Sequence, residues 1–292
     1  MVNDIEMRKI LIQIVIFAMF PFLGQAQNEY MIYGGGGLLG LSYSSTAGQP
    51  KSSLGGQFGL GYCYFLNPDM GIVSGIEYAL YRSKFNADVI NSSHRATDIE
   101  GGAFDFHSSV SGYEETQNAS FLQIPLKALY QIKNSRENRY YVAGGFKIGI
   151  PLSAKYSNTA DAFKNSGYYR EEIYEYTIQQ FIGFGEFNNR TSKGDLDLKT
   201  VFFLSFDAGM KFKLDKSSLY VGAYFDYALN STLEKPSRSF VEYNTPNPTA
   251  FTLNSVANSQ YTLNGATTSF TDKIKPVAVG VKVMFAFGNR WE

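Results

Sequence analysis

The chain holds two histidines, His94 and His107, and both fall in one polar stretch with Ser92, Ser93, Asp98, Glu100 and Asp105. Those residue types are the ingredients of a nucleophile, a base and an orienting acid, but such a triad needs a fixed geometry that spacing along a chain does not supply. Stretches rich in Ser, Asp and Asn are also what ordinary turns and surface loops are made of. The same stretch carries six acids, Asp88, Asp98, Glu100, Asp105, Glu114 and Glu115. Weak bridging of divalent cations or lipopolysaccharide is conceivable there, yet no regular calcium-ligand spacing appears. The expectation is a solvated loop, no catalytic residues, no metal site and no cofactor.

A second constellation is spread along the chain. Glu77, Lys127, Lys147, Asp207, Lys211, Asp226 and Lys282 each sit in an extended run where apolar and small or polar residues alternate. Successive side chains of a strand point to opposite faces, so each charge belongs to the narrow, glycine-rich face. The clearest case is Val277 to Phe287, in which every odd position is bulky and apolar and the even ones are Ala278, Gly280, Lys282, Met284 and Ala286. Such a charge set can plug a narrow lumen by pairing, line a conducting path, or relay protons. Pairing is the expected outcome, because an unpaired buried charge is costly.

A third set is Tyr168, Tyr169, Arg170, Tyr174 and Tyr176, which leads into Phe181, Phe184 and Phe187. Tyr and Arg bury large areas with little loss of side-chain freedom and are enriched in binding surfaces. These aromatics either form a recognition surface or cap the end of the fold and extend its strands.

The elements that must position these groups are strands. Alternation gives eight runs, roughly 29–44, 54–67, 71–84, 119–132, 139–152, 199–213, 218–229 and 273–288. Asn67-Pro68-Asp69, Lys133 to Glu137 and Asp215 to Ser217 read as tight hairpin turns. The other connections are 45–53 and three long ones, 85–118, 153–198 and 230–272. Short turns at one end and long loops at the other, with an even strand number, predict an all-β, eight-stranded antiparallel up-and-down transmembrane β-barrel with both termini periplasmic. The 230–272 stretch shows no chemistry of its own, and the Gly34 to Gly37 cluster has no following helix to cradle a phosphate.

Periodicity alone fits a soluble, lipocalin-like barrel with the apolar face inward equally well. Size favours the membrane: an eight-stranded interior is just wide enough for side chains. The set with Gly75, Gly145, Gly149, Gly209, Gly222 and Gly280 fills it better than stacked Phe and Tyr. Lys127, Lys147, Lys211 and Lys282 facing lipid would each cost roughly 2–4 kcal/mol. The total is on the order of 10 kcal/mol, comparable with the whole stability of a domain. Tyrosines near strand ends (Tyr130, Tyr140, Tyr227) point the same way.

Composition agrees. Net charge is zero and charged residues make up 18%, so nothing favours a nucleic-acid partner. Aromatics reach 16%, with 28 Gly, which suits strands, tight turns and interfacial girdles. Cys63 is the single cysteine, which excludes an internal disulfide, and it falls on the inner face of a strand. At the N-terminus, Arg8 and Lys9 precede an apolar run from Ile10 to Leu23, and Gly24-Gln25-Ala26 supplies small residues for cleavage. Residues 1–26 therefore read as a signal peptide, with Met1 or Met7 as the start, and 27–292 as one barrel domain. No other apolar run is long enough for a membrane helix.

Ser120-Phe121-Leu122-Gln123-Ile124-Pro125-Leu126-Lys127-Ala128-Leu129-Tyr130 resembles the fourth-strand signature of the PorT-like outer-membrane β-barrel proteins of Bacteroidetes-type Gram-negative bacteria, and Gly71 to Tyr78 resembles their third strand. The resemblance covers the strand framework from about 29 to 288. It implies insertion by the barrel-assembly machinery, with Gly280, Val283, Phe285 and Phe287 as the assembly signal, although Gly288 to Glu292 follow the final aromatic. PorT itself is implicated in secretion across the outer membrane. The expected function is a non-enzymatic structural or interaction protein, an accessory to secretion or envelope assembly, acting through its extracellular loops. Its surroundings would be outer-membrane lipid and lipopolysaccharide, with an envelope protein as partner. A narrow channel for ions or small solutes is the alternative, and a lipid-acting barrel enzyme the third reading.

Overall fold

A computed structural model describes residues 28–135, 138–214, 217–236, 238–263 and 265–288. The signal-peptide reading, and Gly24 to Ala26 with it, lies outside the described residues. Eight antiparallel strands close into a barrel: β1 (Asn28–Ser42), β2 (Lys51–Phe65), β3 (Met70–Thr97), β4 (Ala103–Lys133), β5 (Asn138–Tyr169), β6 (Val201–Lys213), β7 (Ser217–Ala228) and β8 (Lys275–Gly288). Each pairs with its sequence neighbour, and β1 closes the ring on β8, with Tyr33 opposite Met284 and Gly37 opposite Gly280. All eight runs expected from alternation are strands of this ring.

The faces separate by chemistry. Val279, Val281, Val283, Phe285 and Phe287 are exposed on the outside of β8, whereas Ala278, Lys282, Met284 and Ala286 are buried inside. The outer wall continues through Ile32, Leu54, Phe58, Leu60, Ile72, Leu80, Leu126, Phe146, Phe202 and Phe206. Tyr30, Tyr130 and Tyr140 lie outward towards the end with the short turns, where an aromatic girdle belongs. That end is built of tight turns; the Asn67 side chain accepts hydrogen bonds from the amides of Asp69 (3.0 Å) and Met70 (2.8 Å).

The interior is not shaped as its size leads us to expect. The lumen is not left to glycines, because Tyr33, Tyr81, Phe121, Tyr141, Phe203, Tyr220 and Tyr224 are all buried in it. The inward glycines instead make room for these rings. A Cβ at Gly222 would stand 2.4 Å from the Tyr141 hydroxyl, and one at Gly280 would stand 2.9 Å from the Tyr224 ring. Large and small residues interdigitate across the narrow interior, as close packing requires.

The larger correction concerns 85–118 and 153–198. The first is not a loop, since β3 runs on to Thr97 and β4 starts at Ala103, leaving a short turn between them. In the second, residues 153–169 continue β5, and a further strand, Gly185–Asp195, pairs with it from Lys155↔Asp195 to Asn165↔Gly185. β4 has 31 residues, or roughly 100 Å of extended chain, whereas a spanning strand needs about 10 residues. More than half of it therefore stands beyond the apolar wall.

Alternation survives across this extension with a phase change. Inward positions of β4 are odd from Leu129 to Tyr113, then even from Val110 to Phe104. The switch occurs at Gly112, whose φ of +62° suits glycine at a bulge. The 230–272 segment folds over the inner face of the extended sheet as short strands and a 3-10 turn, Val256–Asn258. Phe240, Val241, Leu253, Val256 and Phe270 join one continuous core with Phe85, Phe104, Phe106, Tyr113 and Phe163. It is a packed cap and not a solvated loop.

Candidate functional site

Six of the seven predicted lumen charges meet at one level of the barrel. Lys147 Nζ lies between Glu77 Oε1 (2.7 Å) and Asp226 Oδ2 (2.8 Å). Asp207 receives Lys127 (2.6 Å) and Lys282 (3.0 Å), and Lys282 also approaches Glu77 at 4.0 Å. Glu77, Asp207 and Asp226 thus balance Lys127, Lys147 and Lys282, three against three. Ser205 donates to Asp226, and Gln123 Oε1 accepts from Lys147 at 3.4 Å. Lys282 further rests 5.2 Å from the ring centres of both Tyr33 and Tyr224. Lys147 and Asp226 are fully shielded from solvent, so these pairs bridge the cross-section as a plug.

Lys211 does not join them. It pairs with Glu29 at 2.6 Å, nearer the short-turn end, and Tyr220 donates to the same carboxylate at 2.5 Å. Glu29 is the lumen charge that sequence reasoning missed. Its strand is rich in glycine, which blurs the alternation that would have placed it inward. Cys63 is buried in the same layer, directly opposite Glu29.

Beyond the membrane wall, the Ser-His-acid ingredients are divided: Ser93 lies directly opposite His107, but its hydroxyl donates to the Thr262 carbonyl at 2.6 Å. His94 packs edge-on against Phe106, and burial pushes its pKa down to about 4. His107, the next residue after Phe106, lies on the opposite face, with Nδ1 3.1 Å from Glu175 Oε1. Ser166 donates to that same Glu175 oxygen at 2.6 Å. Asp98 shapes the β3–β4 turn by accepting from the amides of Glu100 and Gly102. Among the described residues, no group of three His, Cys, Asp or Glu is placed to hold a metal ion.

Glu115 is the other residue that the sequence misplaced. Expected in solvent, it is buried where the cap meets the sheet. Its carboxylate accepts from Ser255 Oγ (2.6 Å), the Val256 amide (3.3 Å), Tyr113 and Gln117. Burial pushes its pKa up, and the hydrogen bonds from Ser255, Tyr113 and Gln117 offset this only in part. Asn158 reinforces the junction by donating to the carbonyls of Leu253 and Asn254, each at 3.3 Å. The signal was available: Glu115 has the parity of Gln123 and Lys127, the inward residues of the same strand.

The five residues expected to recognise a partner divide. Tyr169 stacks on Phe104 at 5.1 Å and donates to Asp98 at 2.8 Å, and Tyr176 packs edge-on against Tyr169. Arg170 holds Asp105 at 2.8 Å, with Arg95 on its other oxygen at 3.2 Å. Burial pushes the Asp105 pKa up, but the hydrogen bonds from Arg170 and Arg95 bring it below the usual carboxylate range. Tyr168 pairs in register with Asp105 and Glu175. These residues brace the tip. Tyr174 is exposed, as are Ile173 (79%), Ile178 (79%) and Phe181 (77%), and Ile173 adopts a φ of +52°. A β-branched residue in that conformation is rare and strained.

Of the assembly residues, Val283, Phe285 and Phe287 face outward, while Gly280 faces inward with its Cβ position 2.2 Å from the Gly36 carbonyl oxygen.

No curated protein matches the chain. Among solved structures, Neisserial surface protein A is 10% identical over 88% of this chain and 95% of its own, with a TM-score of 0.30. Ail, the attachment invasion locus protein of Yersinia pestis, solved with the heparin analogue sucrose octasulfate, is 10% identical over 91% of this chain and 99% of its own, with a TM-score of 0.28. The family described as "Outer membrane protein beta-barrel domain" matches residues 25–234. With that match over most of its length, the chain belongs to the outer membrane protein beta-barrel domain family.

Proposed function

We propose that this protein is a structural or interaction barrel, an accessory to secretion or envelope assembly, that works through the end carrying the long extensions. One observation carries the reading. Strands β3 to β5 project a braced tip far beyond the apolar wall, and that tip exposes Ile173, Tyr174, Ile178 and Phe181. Large apolar side chains held out where the chain turns off the end of β5, on a turn, a bend and a 3-10 segment, are good candidates for a protein contact. In this reading the short turns and both ends face the periplasm and the tip faces outward. Val283, Phe285 and Phe287, with Gly280, would be read by the barrel-assembly machinery during insertion. The Phe121 to Tyr130 strand supports a PorT-like placement within the larger family.

The plug argues against a conducting channel, since Lys147, Glu77 and Asp226 bridge the lumen without solvent contact. The barrel acts in this reading without enzymatic chemistry or cofactor.

The test uses intact cells with a protease site inserted at Gly101, where an added Cβ would meet nothing within 4 Å. Surface cleavage with heat-modifiable migration is expected. A photo-crosslinker at Tyr174 should then capture an envelope protein, and adding Ile178→Asp with Phe181→Asp should abolish capture while leaving the heat shift intact. A periplasmic, soluble product would overturn the reading, as would steady single-channel currents that change on Lys147→Ala.

A further inference from the structure

On the outer wall of β3 the continuous apolar run ends at Leu80, the next two outward positions are Arg82 and Lys84, and the next exposed apolar side chain is Val89. On β2 the run ends at Leu54, which is 75% exposed, and the chain then reaches Lys51. Lys51 and Lys84 are direct cross-strand partners, so their ammonium groups leave the same face side by side. Like charges placed directly opposite each other destabilise a sheet. Neither lysine forms an ion pair among the described residues, although carboxylates neutralise every lysine of the lumen plug. Arg82 is fixed rather than free: its Nε donates to Asn118 Oδ1 at 2.9 Å, which leaves both terminal nitrogens of the guanidinium available. On the far side of Asn118, Lys155 adds a further cation, tempered by Asp195 directly opposite it.

We propose that Lys51, Arg82 and Lys84 form a binding site for the phosphate headgroup of an outer-leaflet lipid. The inference rests on the membrane-barrel reading above. Position selects the occupant: these cations stand at the border of the lipid-facing wall, with Leu54 and Leu80 below them to meet acyl chains. A phosphate between Lys51 and Lys84 turns their repulsion into shared attraction, and the restrained guanidinium supplies the planar fork that phosphate oxygens accept. A soluble acidic partner would have no use for the apolar side chains just beneath.

The experiment takes the full chain, refolded and checked for heat-modifiable migration, into nanodiscs of zwitterionic phospholipid. The discs are doped with diphosphorylated lipid A or with its dephosphorylated form, and lipid retained through a detergent wash is measured by mass spectrometry. The expected result is about tenfold greater retention of the phosphorylated lipid, lost in Lys51→Gln/Arg82→Gln/Lys84→Gln. Lys164→Gln, whose lysine lies further along β5 and pairs with Glu186 at 3.1 Å, should retain it fully. Equal retention of the two lipids, or an unaffected triple variant that still inserts, overturns this site alone. Displacement by millimolar inorganic phosphate would show a free-anion site and also overturn it. A chain that neither inserts nor shifts on heating overturns both the site and the membrane reading.

Discussion

Lys147 on β5 and Glu77 on β3 meet across the barrel lumen at 2.7 Å, with Asp226 of β7 closing on the same ammonium from the other side at 2.8 Å. Three strands that are not all neighbours in the sheet are thereby fixed to one centre. Removing the cation leaves two buried carboxylates facing each other. Lys147→Ala is expected to cost about 3–5 kcal/mol of stability, read as a lowered urea midpoint in lipid vesicles. Combining Lys147→Met with Glu77→Gln and Asp226→Asn removes all three charges and should recover most of that loss. Equal damage from both would show that the pairs do not hold the plug.

Glu115 makes the cap sensitive to pH. Its folded pKa is raised above the ordinary 4.5, so the neutral form favours the fold. That contribution is complete below the unfolded value and disappears as pH rises through the folded one. Hydrogen exchange of residues 252–258 should therefore quicken as pH is raised above about 4.5, after correction for intrinsic rates. Glu115→Gln keeps the shape without the charge and should flatten this dependence. A profile unchanged by the substitution would remove Glu115 as its source.

Val281 and Lys282 are neighbours on opposite faces of β8, the first 59% exposed and the second buried. Val281→Arg should cost roughly 2–4 kcal/mol in lipid if its position lies near the bilayer midplane. In a soluble barrel the same exposed position would accept arginine at little cost, within about 0.5 kcal/mol. Unfolding titrations in vesicles decide between the two.

Gly280 faces Gly36 so closely that an added Cβ would stand 2.2 Å from its carbonyl oxygen. Gly280→Ala is expected to cost about 1–3 kcal/mol through overpacking, and to lower the heat-modifiable fraction recovered on refolding. Wild-type recovery would show that the β1–β8 seam can spread to admit a methyl group.

The barrel was legible because its strands alternate between two chemically opposite faces, and a period of two survives any detail of packing. Val279, Val281, Val283 and Phe285 point to lipid for the same reason that Lys282 points inward: a charge in lipid costs far more than one paired in a lumen. The inward charges were readable one by one. Their partners were not, because Glu77, Lys147 and Asp226 come from three separated strands and meet only when the ring closes.

Polar composition misled at 85–118, where most Ser, Asn and Asp sit on the outer face of long strands and the aromatics that betray the core, Phe85, Phe104, Phe106 and Tyr113, are few. The phase change at Gly112 breaks the period, so a single alternating run reads as two unrelated halves. What residues 28–288 determined by themselves is the two-faced ring and the sign of each face, since these follow from backbone geometry and transfer energy. What only the tertiary structure decided is the pairing inside the plug, the burial of Glu115 beneath the cap and the exposure of Ile173, Ile178 and Phe181, because each depends on contacts between segments far apart in the chain.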